Sequence, residues 1–102
     1  MNAVTNIPHS ALVGVETKWY GPTNAKDARI RVRRTDHKAG DPTKWITWDS
    51  SEGIFENHQL AAVWFIDEMG WQGDYIAAST GDGYVFARAP RGVRVNYHAI
   101  TP

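Results

Sequence analysis

The chain has 102 residues, no cysteine, and a formal net charge of zero in which 11 basic residues balance 11 acidic ones. That length suits one domain, and the missing cysteine excludes disulfides, thiolate catalysis and cysteine-ligated zinc. Hydrophobic residues make up 42%, including five Trp and four Tyr, which excludes an intrinsically disordered chain and predicts independent folding.

Residues 1–14 mix polar residues, Pro and His without periodicity and read as a mobile arm that lacks the basic start and apolar run of a signal peptide. Residues 15–100 read as the single domain. Its first strand falls at about 11–20, with Val15, Thr17 and Trp19 on one side and Glu16, Lys18 and Tyr20 on the other, ended by Gly21-Pro22. The second, at 28–35, alternates most cleanly: Ala28, Ile30 and Val32 against Arg29, Arg31 and Arg33. After a loop at 36–43, a third strand at 44–48 sets Ile46 and Trp48 opposite Trp45 and Thr47, which assigns Trp48 to the core and Trp45 to the arginine side.

A helix is predicted from about Glu52 to Met69, entered through Asp49, Ser50 and Ser51 as capping candidates and stopped by Gly70. At 100° steps its core stripe comprises Ile54, Phe55, His58, Ala61, Ala62, Phe65, Ile66 and Met69. Two short strands, 74–79 and 83–88, join around Gly81-Asp82-Gly83, a hairpin signal. A further edge strand is predicted over 93–100. The order β-β-β-α-β-β defines an α+β fold, a single antiparallel sheet with one helix packed across one face. No apolar window is long enough to span a bilayer, so no membrane association is expected and a cytoplasmic location is the default.

Several of these segments also resemble a family of small uncharacterised proteins encoded by bacteriophages and plasmids. The likeness is carried by Lys18-Trp-Tyr-Gly-Pro-Thr-Asn, Ala28-Arg-Ile-Arg-Val, Glu56-Asn-His-Gln-Leu-Ala-Ala, Met69-Gly-Trp-Gln-Gly and Gly83-Tyr-Val-Phe, and it spans most of the domain. The chain departs from the family in its basic loop at 36–42 and in its extension after Ala89. The resemblance implies an accessory protein of a mobile element, acting on a bacterial host, and supplies no functional residues.

Catalysis finds little support. The four His are scattered, and no His-Glu-x-x-His pair or comparable metal-ligand spacing occurs, so no metal site is expected. Ser50-Ser51 serves as helix capping rather than as a nucleophile. Gly81-Asp82-Gly83 lacks the third glycine and the following helix of a dinucleotide site, so no cofactor is expected. The expectation is a protein that binds and does not catalyse.

Two surfaces could bind, because the charges are sorted along the chain. Residues 18–44 hold eight Lys and Arg against three acids, whereas 49–82 hold seven acids and no Lys or Arg. Such sorting makes either two faces of opposite sign or a basic strand neutralised by an acidic helix. On the helix, Leu60 and Trp64 leave the core stripe and share a side with Glu56, Asn57, Asp67 and Glu68. A Leu-Trp pair rimmed by acids has the composition of an anchor for a host protein with a basic surface. On the sheet, Arg29, Arg31 and Arg33 repeat at about 7 Å along one strand face, a spacing that suits phosphates, with Lys18 and Trp45 beside them. Nucleic-acid binding there is the alternative, set against the simpler reading that alternating Arg solvates a wet sheet face. His58, inside the core stripe with no second ligand near it in sequence, reads as a hydrogen-bonded structural residue.

Overall fold

A computed structural model describes residues 12–89, in which five strands form one antiparallel sheet and one helix lies across it. The elements are β1 (Val15–Tyr20), β2 (Arg29–Arg34), β3 (Thr43–Thr47), α1 (Ile54–Met69), β4 (Tyr75–Ser79) and β5 (Gly83–Arg88), and the sheet order is β3-β2-β1-β5-β4. The α+β architecture read from the sequence is the one observed. Of the arm predicted over 1–14, residues 1–11 lie outside the described residues, while Gly14 is buried and accepts from the Thr35 N–H; the edge strand predicted over 93–100 also lies outside them.

The helix lies over the middle of the sheet. Because β3 and β4 occupy opposite edges, the connection between them has to pass four inter-strand gaps, or about 19 Å. The sixteen-residue helix, about 24 Å long, sits within that connection with Phe55 of its first turn against Tyr84 and Phe86 of β5 and Trp64 toward Lys44 of β3. Ala61 and Ala62 let the helix approach the sheet closely, and Phe65 fills the centre. Together with Val15 of β1, Ile30 and Val32 of β2 and Phe86 of β5 they form the buried core, against which Ile46, Trp48, Phe55, Ile66 and Met69 pack.

Pairing register sorts the side chains. Val15 opposes Phe86, Trp19 opposes Ile30, and Ile30 opposes Ile46, which stacks the apolar alternation of each strand on the helix side. Arg31 opposes both Lys18 and Trp45, so the arginines line the side away from the helix. Gly83 permits the close pairing of β1 with β5: a Cβ there would sit 1.7 Å from the Thr17 carbonyl oxygen. The β4–β5 turn uses Gly81 at φ +96°, with Thr80 N–H donating to the Gly83 carbonyl, as expected of a two-residue hairpin with glycine in its first position.

The helix start departs from expectation. The first helical residue is Ile54, and Gly53 holds the N-cap position without a side-chain cap. Asp49 instead closes a turn of its own, its Oδ1 accepting from both the backbone N–H and the hydroxyl of Ser51. Such local side-chain to backbone bonding competes with capping. Ile54, assigned to the core stripe from its phase, is instead 68% exposed, at the mouth of an open cavity between the first turn and the sheet.

Phe65→Ala is therefore expected to cost about 3–5 kcal/mol through cavity formation. Gly83→Ala should cost about 1–3 kcal/mol or more through the backbone clash. Trp45→Ala, at a position 46% exposed on the arginine side, should cost clearly less than either. Urea midpoints of the three variants check this ranking.

Candidate functional site

The outward face of α1 carries an apolar patch. Leu60 is 54% exposed, Val63 48% and Trp64 38%. Spacings of three and four residues make them neighbours on the helix surface. Val63 was not singled out from the sequence, because a branched aliphatic in the middle of a helix carries no signal of its own. Its exposure becomes visible only once the sheet fixes which side of the helix is covered.

Glu56, Asp67 and Glu68 are exposed on the same element. Asp67 lies four residues from Val63, and Glu68 four from Trp64, so the acids border the patch. None of the three makes an ion pair among the described residues. The Glu56 carboxylate folds back over Gly53, where it would meet any Cβ at that position, so part of its charge serves the helix start. One cation reaches the patch: Lys44, at the helix-facing register of β3, places Nζ 5.6 Å from the centre of the Trp64 ring.

Asn57 does not belong to this surface. It is 4% exposed and clamps the chain entering the helix: its Oδ1 accepts from the Asp49 N–H at 2.8 Å, and its Nδ2 donates to the carbonyls of Asp49 and Gly53 at 2.9 Å each. A side chain that bonds three backbone groups at once is more stable buried than solvated. No hydrophobicity phase could reveal that.

The opposite side of the sheet holds the basic strand, and there the charges are largely matched. Arg33 is paired with Glu16, whose carboxylate also faces Arg31 at 3.9 Å, and Lys18 lies 3.6 Å from Asp82; Arg34, which the register sets opposite Val15 and so on the helix side, pairs with Asp36. The Arg34 hydrogen bond holds the Asp36 carboxyl below its ordinary range. Arg31 donates to the Tyr20 hydroxyl at 2.8 Å. Arg29 makes no ion pair among the described residues and lies 4.8 Å from the centre of the Trp45 ring and 5.5 Å from that of Tyr20. Of the residues named for nucleic-acid contact, the fold brings Lys18, Arg29, Arg31, Arg33 and Trp45 onto one face, with Tyr20 at its centre.

His58 is 2% exposed and ties the helix to the central strand: its Nδ1 lies 2.8 Å from the Thr17 hydroxyl, which in turn accepts from the Tyr84 N–H. The structural role read for it from the sequence is the one observed. Burial pushes its pKa below the ordinary value, opposed in part by the negative charge of Asp82. Among the described residues no group of three or more metal-ligating side chains comes together, and no helix is long and apolar enough to cross a membrane. Compared with protein-family models, curated proteins and solved structures, the chain finds no match.

A folded-state pKa below the unfolded one means that the unfolded chain takes up the proton first. Stability contributed by neutral His58 is therefore complete above the unfolded value near 6.5 and is lost as pH falls from there toward the folded value. Denaturation midpoints measured from pH 7.5 to 5 should decline across that window. A His58→Gln variant should show a smaller slope there, and an unchanged slope would assign the decline to other groups.

Proposed function

We propose that this chain is a non-enzymatic binding module whose outer helix face docks on a protein with a basic surface. The observation that carries the reading is an asymmetry of charge. The basic strand has its acids within the fold, in Glu16, Asp82 and Asp36, whereas Asp67 and Glu68 border an exposed Leu60-Val63-Trp64 patch and have no cation paired to them among the described residues. Unmatched charge around an apolar centre is the arrangement in which a partner gains both steering and buried area. Trp64 is the natural anchor, since aromatic side chains dominate interface energies, and Lys44 above its ring holds one side of the indole in place. The resemblance to phage and plasmid accessory proteins would make the partner a bacterial host protein, encountered in the cytoplasm.

Nucleic-acid binding through the sheet face is the second reading, favoured by the exposed Trp45 and by Arg29, which lies over its ring without an ion pair of its own. Neutralisation of the neighbouring arginines by Glu16 weakens it, because counterion release needs cations that are available to phosphate.

Trp64→Ala and Leu60→Ala should each leave the melting temperature within a few degrees of the parent. Each should weaken partner capture from a bacterial lysate by about 2 kcal/mol, or roughly thirtyfold. Asp67→Lys should weaken capture further at low salt than at high salt. Thermal unfolding and titration calorimetry with the captured protein separate this from a structural role, in which Trp64→Ala would lower stability as Phe65→Ala does. For the second reading, retention of single-stranded DNA at low salt, lost in Arg29→Glu, is the supporting result, and no retention removes it.

A further inference from the structure

A cavity that no sequence pattern signals lies on the helix side of the sheet, away from the Leu60-Trp64 patch. About 400 Å³ in volume, it opens at the end of β1, between the start of α1 and the β4–β5 turn. Its volume is within the range of small-molecule pockets. Aromatic rings form its wall in succession, each turned steeply to the next. Trp19 and Trp48 lie 6.4 Å apart at 73°, Trp48 and His58 6.0 Å apart at 77°, and His58 and Tyr84 5.0 Å apart at 62°.

Besides the Ser79 hydroxyl at the end of β4, two ionisable groups meet this aromatic wall. The buried His58 ring also lines the cavity; its Nδ1 is held by Thr17, and its Nε2 has no hydrogen-bond partner among the described residues. Asp82 lies at the turn, close enough to His58 for its negative charge to oppose the effect of burial on that ring. Among the described residues no Lys or Arg lines the cavity, and the one formally charged group on its wall is a carboxylate.

We propose that this cavity binds a methylated ammonium group, held by the faces of Trp19, Trp48 and Tyr84 and balanced by Asp82. The chemistry follows from the walls. Ring faces are negative and attract a cation that is too weakly hydrated to prefer water, and a nearby carboxylate adds to that attraction. An anion would meet only Asp82 and π-faces. A neutral His58 adds a further aromatic wall without repelling the ligand. Lys18 competes for Asp82 at 3.6 Å, but both side chains of that pair are about half exposed, so the contact is weak and a ligand can displace it. The same ammonium chemistry occurs in a free quaternary amine and in a trimethylated lysine side chain on a protein.

The test is titration of the intact chain with choline, with a short peptide carrying trimethyl-lysine, and with 3,3-dimethylbutanol, the uncharged analogue of choline, read by tryptophan fluorescence and by the indole N–H signals of Trp19 and Trp48. At least one cationic probe is expected to bind about tenfold or more tightly than the neutral alcohol. Tighter binding of choline identifies a free amine as the source, and tighter binding of the peptide a modified lysine. Asp82→Asn should weaken that binding about tenfold and Lys18→Met should strengthen it severalfold, while Trp19→Ala should abolish it. These three positions are exposed or at the rim, and circular dichroism confirms that the variants fold. Equal affinity for the neutral alcohol would make the cavity merely apolar and overturn the proposal. So would the absence of any response to either cation.

Discussion

The hydrogen bond between His58 and Thr17 sets the rotation of the helix, and which of its side chains face outward depends on that rotation. Thr17 sits on β1, the central strand, and β1 is fixed by its neighbours on both sides, closely on the β5 side because Gly83 has no side chain. A buried imidazole bonded to a buried hydroxyl is satisfied at one rotation of the helix only, and an unsatisfied buried pair would cost several kcal/mol. Turning the helix by one residue, about 100°, would bring Glu56 or Gln59 toward the sheet and carry Phe65 out of the core. The Asn57 clamp on Asp49 and Gly53 reinforces the same setting from the N-terminal end. Leu60, Val63 and Trp64 face outward as the complement of that choice.

The acidic helix does not neutralise the basic strand. β2 projects Arg29, Arg31 and Arg33 away from the helix, so the helix acids cannot reach them across the sheet. Glu16, placed beside Arg33 and near Arg31 by the β1–β2 register, matches those charges, and Asp82 of the turn lies near Lys18. Among the described residues Glu56, Asp67 and Glu68 make no ion pair, so these carboxylates stand around the apolar patch without a partner from the rest of the sheet.

Much of this was legible in the sequence because the deciding signals were periodic. Period-two alternation in β1, β2 and β3 assigned Val15, Ile30, Ile46 and Trp48 to one side and Trp45 and the arginines to the other, and the register bears this out. The phase of α1 placed Phe65 at the centre and Leu60 and Trp64 outside it. What was not legible depends on single tertiary contacts. Asn57 is buried because its amide matches three backbone groups, Ile54 is exposed because a cavity opens beside it, and Val63 is exposed because of where the core lies. The aromatic cavity was hidden for the same reason: Trp19, Trp48 and Tyr84 come from three separate segments, and only the β1–β5 pairing and the return from β3 bring them together.

Hydroxyl-radical footprinting of the isolated full-length chain, normalised to the intrinsic reactivity of each side chain, tests the helix orientation most directly. Leu60, Val63 and Trp64 should be modified at rates close to those of an unfolded control, while Phe65, Ile30 and Val32 are strongly protected. Protection of Leu60 and Trp64 to the level of Phe65 would mean that the outer face of the helix is covered within the chain itself, and would contradict the account of that face as a binding surface.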